Sequence, residues 1–179
     1  DAEALTVRTL LGWRSPEHRG FTFLAEIENT ADLTDGDRNT SLTSRPQFAT
    51  INDEAITELN RLQLTYRASD AVSATLGRQY LNFDRGRFIG SPGWRQDKTS
   101  HDAVRLDWSR GPLEASYGYH WQLSRGPGGD FDGDTDTHLV HAGYELSEAA
   151  TLSGFVYLID LETGPANRSN ATAGLRLTG

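Results

Sequence analysis

The stretch VRLDWSRGPLEASYGYHWQL, Val104–Leu123, sets apolar and polar residues in strict alternation on both sides of one short turn. Val104, Leu106 and Trp108 alternate with Arg105 and Asp107. After Ser109–Pro112, Leu113, Ala115, Tyr117, Tyr119 and Trp121 alternate with Glu114, Ser116, Gly118, His120 and Gln122. Successive side chains of a strand point to opposite faces, so each segment reads as a strand with one oily and one polar side. The predicted strands are His101–Trp108 and Leu113–Leu123.

The same pattern extends in both directions. Strands are predicted at Leu5–Arg14, Phe21–Thr30, Leu59–Arg67 and Val72–Tyr80 before this hairpin, and at His138–Leu146, Thr151–Leu161 and Thr172–Thr178 after it. Leu10 breaks the alternation of the first, and Thr151–Leu161 is apolar on both sides, which leaves its facing open. The connections carry a second regularity. Ser15–Gly20, Ala68–Ala71, Ser109–Pro112 and Ser147–Ala150 are short, whereas Asp32–Thr57, Asp84–Ser100, Ser124–Thr137 and Glu162–Ala171 are long, and the two kinds alternate. Outer-membrane barrels sort their loops in this way, with short turns on one side and long loops on the other. Trp13, Tyr66, Trp108 and Tyr144 lie on the oily side close to short turns, and Phe21 begins the strand after the first of them. An aromatic ring at one height suits a headgroup boundary.

Composition agrees with this reading. Apolar residues make up 36% of the 179, and no run approaches the roughly 20 apolar residues of a membrane helix. Alternating membrane strands average out as polar, so low apolar content does not argue against them. Cysteine is absent, which excludes disulfides and thiolate metal sites. The net charge of −8 argues against a nucleic-acid partner. The chain opens at Asp1 directly before a strand and without a leader, as expected where a leader has been removed or the chain has been trimmed.

The polar sides carry Arg8, Glu26, Glu28, Arg61, Arg67, Arg105, Asp107, Glu114, His120 and Arg176. Either they face solvent outside a packed soluble barrel, or they line a wet lumen with lipid outside. The soluble version would crowd several Trp and Tyr into a narrow interior, and its loops would be unusually long for a compact domain. The expected fold is therefore all-β, an antiparallel up-and-down transmembrane β-barrel. Nine strands are an odd count, whereas single-chain bacterial barrels are even, and an open edge in lipid leaves unpaired backbone groups. Residues 1–179 are thus expected to form one partial barrel domain.

Four segments carry a resemblance. They are LGWRSPEHRGFTFLAEIENTADL (Leu11–Leu33), ATLGRQYLNFDRGRFIGSPGWRQDKTSHDAVRLDW (Ala74–Trp108), GPLEASYGY (Gly111–Tyr119) and LSGFVYLIDLE (Leu152–Glu162). The runs Leu76–Gln79 and Gly93–Gln96 are the most specific. The chain resembles the alginate-export porin family of Gram-negative outer membranes. The resemblance implies the N-terminal half of a monomeric barrel of about 18 strands with an arginine-rich interior. It also implies a lipid bilayer as surroundings and an acidic, uronate polysaccharide among the possible solutes.

The inward arginines Arg8, Arg61, Arg67, Arg105 and Arg176 are candidates for guiding carboxylates, which the guanidinium fork matches. Alternatively they pair with Glu26, Glu28, Asp107 and Glu114 and stabilise the wall. Arg78, Arg87 and Arg95 belong to the family-like motif and would line a constriction if the second long loop folds inward. Asp130, Asp132, Asp134 and Asp136 alternate as in hard-cation loops, but without the later glutamate of such a site, so a solvated acidic loop is the plainer reading. His138 and His141 fall on opposite faces, and Ser116 and His120 stand roughly 13 Å apart along one strand. The functional expectation is a passive channel for anionic or small polar solutes, with no enzyme activity, metal or cofactor. The rival readings are an adhesion or assembly scaffold with a plugged lumen and a soluble barrel that binds ligands.

Overall fold

The computed structural model describes residues 2–34, 36–40, 42–91, 93, 96–124, 132–162 and 169–179. They form nine strands: β1 (Thr6–Arg14), β2 (Phe21–Asp32), β3 (Ile56–Ser69), β4 (Val72–Gln79), β5 (Ser100–Arg110), β6 (Leu113–Ser124), β7 (Gly133–Ser147), β8 (Ala150–Ile159) and β9 (Asn170–Thr178). Each pairs antiparallel with the next, in one sheet of order β1 to β9. The sheet is not closed among the described residues: β1 and β9 each have one neighbour. One 3₁₀ turn, Asp84–Gly86, interrupts the connection from β4 to β5.

The strand positions follow the alternation read above, and the departures lie at the long-loop ends. β3 begins at Ile56, and β7 begins at Gly133 instead of near His138. Gly and Asp are depleted in strands, and they outnumber the strand-favouring Thr135 and Thr137, so the sequence Gly133–Thr137 gives little local signal. It is drawn into the sheet by its neighbour, with Leu123 opposite Gly133 and Gln122 opposite Asp134 beyond an irregularity between His120 and Gln122. Asp134 and Asp136 are therefore strand residues and not members of a loop; Asp132 stands just before them, and Asp130 lies outside the described residues.

The two faces differ in a way that inverts a soluble sheet. Leu11 is 74% exposed and Leu175 81%, and Leu62, Leu64, Leu76, Leu106 and Val140 are exposed with them. On the opposite face Glu28 is 2% exposed and His120 3%. β8, whose facing the sequence left open, puts Leu152, Val156 and Leu158 on the exposed oily side and Ser153, Phe155 and Tyr157 on the covered side.

The covered face also holds an apolar patch, unlike the uniformly wet wall expected from the polar sides. Ala103 of β5, Leu139 of β7 and Tyr157 of β8 are buried there, with Phe155 beside them. What covers them is the segment after β4, whose Leu81, Phe83 and Ile89 complete the same cluster. Gly118 of β6 makes the close approach possible: a Cβ there would stand 3.1 Å from Phe83 Cζ. The segment thus lies against the polar face, which is called the inner face below.

Candidate pore lumen

Ion pairs across neighbouring strands dominate the inner face. Arg8 donates to both oxygens of Glu28 at 2.6 and 2.7 Å, and Asn60 Nδ2 also donates to Glu28. Arg61 donates to Glu26 at 3.2 and 2.5 Å, while the Tyr80 hydroxyl donates to Glu26 Oε1 at 3.1 Å. Burial and the adjacent Glu26 push the Tyr80 phenol above its ordinary range, so it stays a donor. Arg78 holds Asp102 through two bonds of 2.8 and 2.9 Å. Arg105 donates twice to Asp107 Oδ1, which also accepts from Ser116 at 2.6 Å. Arg67 stands 3.6 Å from Glu17, both exposed. Arg61 and Glu26, and Arg78 and Asp102, stand directly opposite one another, while Arg8 and Glu28 are diagonal neighbours, and both relations put side chains on one face.

The segment Tyr80–Gly90 is the inward-folded piece. Phe83 and Ile89 pair through a backbone bridge, closing a small hairpin whose tip is the 3₁₀ turn. Asp84 and Arg85 both have positive φ, 50° and 58°, followed by Gly86 at 75°. Two consecutive non-glycine residues in the left-handed region are strained and persist only where surrounding contacts hold them. The hold comes from three sources. Leu81, Phe83 and Ile89 are buried, Arg176 of β9 donates to Asp84 at 2.5 Å, and Arg105 lies 5.2 Å from the Phe83 ring centre. At and beside the tip Arg85, Arg87 and Phe88 are exposed, Phe88 with its ring 5.3 Å from Phe155 of the wall. Between the tip and the short-turn ends of the strands is a recess of about 310 Å³, bordered by Arg85, Arg105, Arg176, Ser116, His141 and Ser153.

The residues singled out from sequence separate into three groups. Arg8, Arg61, Arg105 and Arg176 are inward, but each is paired with a carboxylate, the first three with Glu28, Glu26 and Asp107 and the last with Asp84. Glu114 borders the recess without an ion pair among the described residues. Arg78 sits in β4, in the wall and not in the loop, whereas Arg87 is on the inward tip. Arg95 lies outside the described residues. His120 packs edge-on to His101 at 4.9 Å between ring centres, and Ser116 is engaged by Asp107, so Ser116 and His120 do not meet. His141 borders the inner recess, whereas His138 is bonded to Tyr117, a residue of the oily side. Among the described residues no three His, Cys, Asp or Glu side chains are placed to share a metal ion.

Three residues of the candidate site escaped the sequence reading: Asp84, Phe88 and Arg85. Nothing periodic marks an irregular segment, and the only local signal was the crowding of Arg85, Arg87 and Phe88 around Gly86. The outward side also holds a second aromatic cluster that the reading did not assign. Tyr119 stacks near His138 at 4.9 Å and Trp121 at 6.3 Å, and Tyr117 bonds His138 at 2.8 Å. At the short-turn end, Phe21 and Tyr66 are 4.6 Å apart and Trp13 and Phe23 6.0 Å. From Leu113 to Trp121 the strand rises about 26 Å, or about 20 Å along the normal at a typical barrel tilt. Two aromatic levels at that spacing bracket an apolar band of membrane dimensions.

Comparison with known proteins bears on the same features. A family model described as Alginate export matches residues 21–138. The solved structure of OccD3 (OpdP) from Pseudomonas aeruginosa aligns with 86% of this chain at a TM-score of 0.62 and 16% identity. The aligned part is 36% of that protein's chain, so the likeness is one of fold over a portion of a larger porin. No curated protein matches the sequence.

Proposed function

The chain belongs to the alginate export family, and from that premise we propose that it forms part of a closed barrel in a Gram-negative outer membrane, through which anionic or small polar solutes pass down their gradient. The observation that carries this reading is the inversion of the two faces. Exposed Leu, Val and Trp cover one side of the sheet, while paired charges and the inward hairpin occupy the other. A sheet of that kind is stable where hydrocarbon meets its oily side and water its polar side. Open edges find their partners when further strands complete the barrel.

The wall arginines are neutralised pairwise, so they contribute structure and local dipoles more than free charge. Arg85 and Arg87 of the hairpin tip form no ion pair among the described residues, and neither does Lys98, which stands over the Tyr80 ring at 5.2 Å. Rings or clusters of such charge set the selectivity of a narrow pore. Passage of an acidic polysaccharide of the uronate kind is the finer form of this proposal, and it draws on the family alone. The partners are lipid and solute, with the barrel acting as a monomer.

Planar-bilayer recording of the full-length protein tests the reading. The expected result is a stable ohmic conductance with anion preference. A folded, inserted barrel that carries no current overturns it, and this outcome would favour a plugged scaffold.

A further inference from the structure

We propose that the hairpin tip is a binding site for a carboxylate borne on a planar apolar ring, with Phe88 as the stacking surface and Arg87 as the carboxylate partner. The inference rests on the reading of this face as a hydrated lumen, and it adds a solute class that the channel reading does not specify.

The argument begins with what holds the hairpin. Leu81, Phe83 and Ile89 supply its apolar anchor, and all three are buried. Phe88 adjoins Ile89 yet is 47% exposed. Its outer side therefore presents apolar surface to water that the docking of the hairpin does not require. Its inner side is backed by other rings: Phe155 lies 5.3 Å away and Tyr157 6.1 Å, and these two stack on each other at 5.0 Å with planes 23° apart. A ring backed on one side, with the Arg87 guanidinium carbon over it at 5.8 Å and 47% of the residue exposed, offers a flat ligand a surface already in place beside a cation.

Charge completes the site. The Arg87 guanidinium carbon stands 5.8 Å from the Phe88 ring centre and enters no ion pair among the described residues. Arg85, two residues earlier, is likewise exposed and uncommitted. Arg8, Arg61, Arg78, Arg105 and Arg176 are already held by Glu28, Glu26, Asp102, Asp107 and Asp84. A ring laid on Phe88 can place a carboxylate against the free fork of Arg87, which offers paired donors to it. The left-handed backbone at Asp84 and Arg85, clamped by Arg176, is what holds these side chains on the open side. A small acid without a ring would leave the Phe88 face unused, a puckered sugar acid would cover it less fully than a flat ring, and a neutral ring would leave Arg87 unpaired.

Saturation-transfer NMR titrations of the detergent-refolded full-length protein test the proposal. The probes are sodium benzoate, acetate, glucuronate and benzyl alcohol at low salt. The expected result is benzoate binding about tenfold tighter than each of the other three, the scale of one aromatic contact against the acids without a flat ring or of one charge-assisted bond against the alcohol. Phe88→Leu keeps apolar bulk beside Ile89 and is expected to weaken benzoate about tenfold while leaving acetate unaltered. Arg87→Gln is expected to abolish the preference for benzoate over benzyl alcohol. Equal binding of all four probes, or benzoate affinity indifferent to Phe88→Leu, overturns the site. Bilayer recording separates the two readings. Phe88-dependent benzoate binding without current supports the site and defeats the channel, whereas current with ring-indifferent binding defeats the site alone.

Discussion

At the scale of single residues, the inner wall is a set of committed charges. Glu28 is the most heavily used, accepting from Arg8 twice and from Asn60 while 2% exposed. Removing one member of a covered pair leaves its partner without compensation. Glu28→Ala is therefore expected to destabilise the folded full-length barrel by about 3–5 kcal/mol, measured by denaturant unfolding in detergent micelles. Arg67→Ala, whose partner Glu17 is 3.6 Å away and exposed, is expected to change stability by under about 1 kcal/mol in the same assay. Equal effects of the two would show that burial does not rank these pairs.

At the scale of elements, the nine strands were legible because period-two alternation is a local signal, and Val104–Leu123 alone displays it twice. The ends of β3 and β7 were not, because Gly133–Thr137 is paired by its neighbour and not by its own propensity. The inner arginines were named from sequence by facing, but their carboxylate partners Asp84 and Asp102 were not. The pairing of Asp84 with Arg176 joins positions 92 residues apart through an irregular segment, and no pattern encodes such a contact. The alternatives posed for the arginines could not be separated without knowing which carboxylates stand opposite. The hairpin itself depends on Gly118, where a Cβ would meet Phe83 at 3.1 Å. Gly118→Leu is expected to lift the hairpin from the wall and raise single-channel conductance, with the strands intact by circular dichroism. An unchanged conductance would mean that the hairpin does not narrow the path.

At the scale of the molecule, the assignment of lipid to one face and water to the other can be tested by neighbours in sequence. Leu62 is exposed on the oily side of β3, and Gln63, the next residue, faces inward. Leu62→Arg is expected to destabilise insertion into vesicles by about 2–4 kcal/mol, as charge does on a lipid-facing strand. Gln63→Arg is expected to fold and insert close to the parent protein. A reversed ranking would exchange inside and outside. The grip of Arg176 on Asp84 has a further bearing on biogenesis. Arg176 belongs to the ninth strand, while the tongue it clasps emerges after the fourth. A nascent wall that has reached β8 already offers Leu139 and Tyr157 as a seat but still lacks the clasp. The tongue is therefore seated by one set of staves and latched by another, and a wall broken between β8 and β9 keeps the seat while losing the latch.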